Sequence, residues 1–264
     1  MPDEEHLAAL YGREYFERPS GDVEETGVAG YHDYVGLRFM RQWDYRRVAL
    51  NLIDMVATSP PPPPAARLLD VGCAMGYFMD VADDVGFDVE GIDRNPDAIR
   101  RLSFKYRFPV TCADFASFNG GPYEAVTMLD MLEHFSDPFG ALAKTASLTR
   151  SGGVLAISTP DSGSLVARLL GRRNELIQKA SSGEHLTFFT RQTLTAALDR
   201  AGFDVVRIDS YGVTLDLATA SRRIGAALPL VGAMVGAAVG AFGLSRAFVH
   251  FNHHLNMIAY ASKR

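Results

Sequence analysis

Two hydrophobic patterns alternate along most of this chain. Short apolar runs at Arg67–Val71, Asp88–Ile92, Val110–Ala113, Ala125–Leu129, Val154–Ser158 and Asp204–Asp209 read as buried strands. Between most of them lie segments that read as helices, at Tyr77–Asp84, Pro96–Tyr106, Pro138–Leu148 and Thr190–Ala201, the last with Thr190 as an N-cap. Strands alternating with helices predict an α/β fold on a mostly parallel sheet, with helices on both faces. Ligands of such sheets bind outside the carboxyl ends of the strands, where Asp93, Asp114, Asp130 and Thr159 all fall.

The flanks differ from this middle. Residues 1–30 are polar and acidic, and predict a short helix near Glu5–Phe16 and a loop through Pro19–Gly30. Tyr31–Val56 reads as a long helix carrying Arg38, Arg41, Arg46 and Arg47, which in the plainest reading form a solvated face. Pro60–Pro64 cannot continue a helix and favour an extended spacer. The expected organisation is therefore a helical cap over 1–59, a proline-rich linker over 60–66 and the main domain over 67–264. Towards the other end, Ile224–Leu244 has no charged residue, is rich in glycine and alanine, and repeats Gly232, Gly236 and Gly240 every four residues, a face suited to close helix contact.

The stretch that organises the rest is Arg67–Phe78, R-L-L-D-V-G-C-A-M-G-Y-F. A strand ends near Asp70, Gly72 and Gly76 bracket a tight turn, and a helix opens at Tyr77. Glycine lets backbone amides approach a ligand closely, because it has no Cβ to collide with it. Asp93 closes the next strand, about twenty residues past the turn, where an acidic side chain grips a ribose diol. A glycine turn alone also suits a nicotinamide dehydrogenase, and a non-catalytic scaffold is a third class.

Five motifs in order narrow the choice: L-D-V-G-C-A-M-G-Y-F, G-I-D-R-N-P, C-A-D-F, L-D-M-L-E-H-F-S-D-P and S-G-G-V-L-A-I-S-T-P. With them the chain resembles the class I S-adenosylmethionine-dependent methyltransferases over Arg67–Asp161, and more weakly over Glu184–Tyr211. It departs at Ala74, where the family usually has a glycine. The resemblance implies a Rossmann-like sheet whose last strand, here Asn256–Ala261, inserts antiparallel beside Asp204–Asp209. Residues 211–255 would then be an apolar helical insertion. A membrane span is disfavoured there, since Pro229 interrupts the run and Leu230–Leu244 would reach about 22 Å against an apolar slab of ~30 Å. A single span would also strand the last strand across the bilayer from its sheet. The preferred reading is a helical pair packed on the core, on a second copy as a homodimer, or over an apolar substrate; interfacial membrane docking is the alternative.

The resemblance also implies the site. Asp70, Gly72, Cys73, Ala74, Gly76, Tyr77 and Phe78 would surround the methionine part of S-adenosyl-L-methionine, and one of the cap arginines could hold its carboxylate. Asp93 would accept from the ribose, with Arg94 and Asn95 beside the adenosine; Asp114 would accept from the adenine amino group with Phe115 beside the ring, and Leu129 is a further cofactor-binding candidate. Asp130-Met131-Leu132-Glu133-His134 resembles the E-x-x-E-H stretch of the ubiquinone-pathway O-methyltransferases, where carboxylates and histidine are associated with a divalent cation. That leaves Asp130, Glu133 and His134 as weak metal candidates, for Mg2+, against no metal at all. Glu184-His185-Leu186-Thr187-Phe188-Phe189 resembles a further stretch of the group. His134, His185 and Glu133 are thus the candidate catalytic residues, the histidines as base or substrate-positioning groups. Ser162–Gly183, with Arg168, Arg172, Arg173 and Lys179, is a candidate substrate lid or simply a solvated face. His250, His253 and His254 have a spacing that metal could use but read better as exposed loop histidines.

Composition sets the remaining bounds. The chain has 264 residues and a formal net charge of -5 with no long basic run, which argues against nucleic acid as a partner. Cys73 and Cys112 are the only cysteines and have no metal-type spacing, and no secretory signal is read. A cytoplasmic enzyme, with peripheral membrane contact left open, is expected. Its expected activity is methyl transfer to a small-molecule acceptor, most readily a hydroxyl oxygen of a natural product, sugar or quinone-like compound. The alternative is C- or N-methylation of a lipid or isoprenoid.

Overall fold

Leu68 and Leu69, Ala125 and Val126, and Leu155 and Ala156 are all buried, and neighbours along each strand face opposite layers, so the central strands must be covered on both sides. The computed structural model describes residues 38–58, 66–170, 185–227, 229–245 and 247–264. The expectations for Glu5–Phe16, Pro19–Gly30, Tyr31–Leu37 and Pro60–Pro64 lie outside them, as do those for Arg172, Arg173, Lys179 and Glu184.

In chain order the elements are α1 (Arg38–Ala57), β1 (Ala66–Val71), α2 (Tyr77–Asp84), β2 (Phe87–Asp93), α3 (Pro96–Lys105), β3 (Val110–Cys112), β4 (Tyr123–Leu129), α4 (Pro138–Leu148), β5 (Thr149–Pro160), α5 (Leu165–Leu170), α6 (Arg191–Arg200), β6 (Phe203–Asp216), α7 (Leu217–Ala227), α8 (Pro229–Ala241) and β7 (Phe248–Lys263). Their ends follow local chemistry. Asn95 caps α3 by accepting from the amides of Asp97 and Ala98, Asp137 caps α4, and Thr190 caps α6 in a reciprocal box with Thr193.

Among the described residues seven strands form one sheet, in the order β3-β2-β1-β4-β5-β7-β6. All neighbours from β3 to β5 are parallel, whereas β7 is antiparallel to both β5 and β6. The chain steps outward from β1 to β3, then crosses to β4 on the other side of β1. That reversal opens a crevice at the carboxyl ends of β1, β2 and β4. One core layer packs α1 and α2 on the sheet through Val48, Leu52, Phe78 and Met79; the other packs α4 and α6 through Leu142, Leu148, Leu194 and Leu198.

The insertion is smaller than expected. The antiparallel pairing of β6 and β7 continues past the sheet, from Val213 opposite Phe251 to Asp216 opposite Phe248, so the two ends of the 211–255 segment are a β-ribbon and its middle is helical. Hydrogen bonding between adjacent strands outweighs the weak local signals there. The α7–α8 hairpin sits at the ribbon's tip, and Pro229 begins α8 as its first residue. His250, His253 and His254 accordingly lie on β7 rather than in a loop. The glycine spacing serves the hairpin itself. A Cβ on Gly232 would run into Gly225 of α7, and Gly236 faces Ser221, so this face meets α7 rather than a second chain.

Candidate active site

The crevice holds a cavity of about 380 Å³, within the range of small-ligand sites. Its floor is the turn after β1. Gly72 and Ala74 both have positive φ, 80° and 45°, and Ala74 is a non-glycine residue in the region that favours glycine. Asp93 holds that turn: its Oδ2 accepts from the Ala74 amide at 2.9 Å, and its Oδ1 accepts from the Asn95 amide at 2.8 Å. Each oxygen keeps a second lone pair for a hydroxyl donor. Burial raises the Asp93 pKa, opposed by these two amides.

Asp70 stands at the end of β1, buried, with its Oδ1 accepting from Thr127 Oγ1 at 2.7 Å. Desolvation pushes its pKa up to about 7 despite the Thr127 bond. Across the cavity Asp114 caps a short turn by accepting from the Ala116 amide at 2.8 Å, with Phe115 next to it. Arg94, Asn95, Phe78, Cys73 and Leu129 complete this side. Burial raises the Cys73 thiol well above its ordinary value, which makes it a small wall residue rather than a reactive thiolate.

Two residues expected at the cofactor do not line the cavity. Gly76 takes φ 74° as the residue before α2, and a Cβ there would press on Leu102 of α3, so this glycine serves helix packing. Tyr77 is buried, with Arg38 and Lys105 over its ring.

The opposite wall comes from other elements. Arg41 and Tyr45, one turn apart on α1, reach the cavity, as does Lys144 of α4. The structure separates the four cap arginines: Arg38 pairs with Asp80 at 3.3 Å, Arg46 and Arg47 are exposed, and Arg41 alone of the four lines the cavity. Sequence reading missed Tyr45 and Lys144. The available signal was spacing, since Arg41–Tyr45 and Gly140–Lys144 each share a helix face at i, i+4. Arg168 is exposed on α5 and is not part of the lining.

After β4 the chain enters Asp130 at φ 54°, then a short 3-10 turn over Leu132–His134. At three residues per turn, successive side chains point about 120° apart. His134 faces the cavity, whereas Glu133 is turned inward and buried, with its Oε2 accepting from Thr159 Oγ1 at 3.0 Å. The Glu133 carbonyl accepts from the amides of Leu186 and Thr187, which draws the 185–190 loop in behind the turn. His185 is therefore buried and packs edge-on against His134, with ring centroids 5.0 Å apart, and does not line the cavity. Of the expected catalytic trio, His134 alone reaches the cavity.

The expected metal set does not assemble either. Asp130 accepts from Ser158 Oγ at 2.8 Å, while the ligand atoms of Glu133, His134 and His185 lie within 4.8 Å of one another. Two imidazoles and one carboxylate are a poor match for Mg2+, a hard cation that prefers oxygen ligands.

The sheet order, with its single antiparallel strand next to the last, and the glycine turn facing Asp93 define the class I S-adenosylmethionine-dependent methyltransferase fold. The chain belongs to the methyltransferase domain family, whose pattern it matches over residues 40–208. It is 34% identical over 103 residues to the ubiquinone biosynthesis O-methyltransferase of Xanthomonas campestris pv. campestris, covering 36% of this chain and 43% of that protein. The chain thus spans less than half the length of that curated relative. Among solved structures it is similar to magnesium protoporphyrin IX methyltransferase from Synechocystis PCC 6803 with bound SAH (TM-score 0.55, 15% identity, 98% of this chain and 94% of that one). It is also similar to the cyclase SpnF (TM-score 0.51, 19% identity, 83% and 80%), so the fold alone does not fix the reaction.

Proposed function

We propose that this protein transfers a methyl group from S-adenosylmethionine to a hydroxyl oxygen of a small-molecule acceptor, with His134 as the general base. The observation that carries the reading is one continuous cavity bounded on one side by the glycine turn, Asp93 and Asp114, and on the other by His134. The donor set fits the cofactor: Asp93 has lone pairs left for the ribose hydroxyls, Asp114 and Phe115 suit adenine, and Asp70 and Arg41 offer opposite charges to the amino and carboxylate groups of an amino acid. S-adenosylmethionine supplies a methyl group on a sulfonium that is already activated as a leaving group. The protein's work is then alignment and proton removal.

His134 does the second. Its ring lines the cavity while His185 packs edge-on behind it, which limits its rotation. An imidazole suits proton abstraction near neutral pH. Glu133 and Thr159 hold the turn that presents His134 and do not themselves meet the acceptor. Relatives named for ubiquinone biosynthesis make a phenolic, quinone-like acceptor the first compound class to try. C- or N-methylation of a lipid-like acceptor is the second reading, favoured by the apolar hairpin on the same chain.

The test is incubation with labelled methyl donor and a panel of phenols, sugars, amines and isoprenoid acceptors. Label transferred to a hydroxyl, and lost in His134→Ala, supports the first reading. Transfer to carbon or nitrogen that survives this substitution supports the second.

A further inference from the structure

The α7–α8 hairpin lies beyond the residues that match the methyltransferase family and takes no part in the cavity. Its outer surface is apolar. Every side chain of α8, Pro229–Ala241, is apolar, yet Leu230 is 82% exposed and Met234 74%, with Phe242 beyond them at 77%. Phe248, Val249 and Phe251 continue the exposed apolar surface along the ribbon. A helix that is apolar all round belongs in a core or in lipid, and soluble proteins rarely leave such a patch open.

Charge indicates what covers it. From Leu217 to Leu255 the sequence has Arg222, Arg223 and Arg246 and not one Asp or Glu, in a chain whose net charge is -5. An apolar hairpin whose sequence carries arginines and no carboxylate beyond Asp216 at its base matches an anionic lipid surface, where aliphatic side chains enter the acyl boundary and arginines meet headgroup phosphates. Exposed phenylalanines suit the same interfacial layer. The wedge does not span: thirteen residues of helix make about 20 Å, and among the described residues no helix is long and apolar enough to cross a membrane. The base of the ribbon is fixed to the body, because buried Asp44 of α1 accepts from the Thr214 amide at 2.8 Å and from its Oγ1 at 2.6 Å. A load on the hairpin is thus carried to the helix that also bears Arg41 and Tyr45.

We propose that the α7–α8 hairpin docks the protein peripherally on an anionic lipid surface. This stands independently of the methyl-transfer reading. The test is flotation of the full-length protein with phosphatidylcholine vesicles, with and without about one third phosphatidylglycerol. The protein should float with the anionic vesicles and far less with the neutral ones, since each arginine near an anionic surface contributes a factor of about five. Leu230→Asp with Met234→Asp should abolish flotation, and Arg222→Glu with Arg223→Glu should weaken it at least tenfold, both leaving the thermal midpoint close to wild type. Failure of the folded protein to float with either vesicle overturns the proposal, as does equal binding to both. A concentration-dependent dimer dissolved by the Leu230→Asp, Met234→Asp pair, without flotation, would assign the surface to a second copy instead.

Discussion

The two walls of the cavity are built in opposite ways. The acidic wall, Asp70, Asp93 and Asp114, hangs from the ends of β1, β2 and β3, where register and turn geometry fix each carboxylate through backbone amides or Thr127. The facing wall, Arg41, Tyr45, Lys144 and His134, is assembled from two helices and a 3-10 turn that are distant from one another in sequence. In the proposed reading the strand ends meet the ribose, adenine and amino groups of the cofactor, whereas the packed wall meets its carboxylate through Arg41 and the acceptor through His134.

The largest test of this contrast lies on the packed wall. His134→Ala should lower kcat by roughly 10²–10⁴, the range for a lost general base, with affinity for S-adenosylhomocysteine unchanged. His185→Ala should cost less, because that ring supports His134 and lines no part of the cavity. If the two variants are equally impaired by calorimetry-verified, folded enzyme, the division between them fails.

On the acidic wall, Asp93→Ala removes a carboxylate that holds the turn and, in the proposed reading, would hold the ribose. A loss of about 2–4 kcal/mol in S-adenosylhomocysteine affinity is expected from charged hydrogen bonds; titration calorimetry reads it. Arg41→Ala should weaken the same ligand by about 1.5–3 kcal/mol through its carboxylate. Arg38→Ala, which breaks the Asp80 pair instead, should leave binding intact. Equal effects of the two arginine variants would remove Arg41 from the site.

The smallest effect is a pH dependence. Asp70 has its pKa raised to about 7, so the empty folded protein binds a proton that the unfolded chain releases near 3.8. Its contribution to stability is therefore present at low pH and lost as pH rises towards 7. A ligand amino group needs the carboxylate, so cofactor affinity should rise about tenfold from pH 6 to 8, about fivefold of it below pH 7, and level off above pH 8. Asp70→Asn should flatten that rise.

The same contrast explains what the sequence disclosed. The glycine turn, Asp93 and the helix limits at Tyr77–Asp84 and Pro138–Leu148 were legible because each depends on neighbours a few residues away. Gly76 was expected at the cofactor but is absent from the cavity lining: its positive φ serves a turn and a helix contact at once, and the sequence does not say that Leu102 lies above it. The inward turn of Glu133 depends on Thr159, and the burial of His185 on amides bonded to the Glu133 carbonyl, both far away in sequence. The ribbon beyond the sheet was hidden for the same reason: pairing of Val213 with Phe251 is a non-local decision.

One measurement addresses both walls together, a crystal structure of the complex with S-adenosylhomocysteine. Adenine should lie between Asp114 and Phe115, the ribose hydroxyls on Asp93, and the sulfur should face His134 across open space. A product bound elsewhere, or one whose sulfur points away from His134, would contradict the assignment of this cavity and of its base.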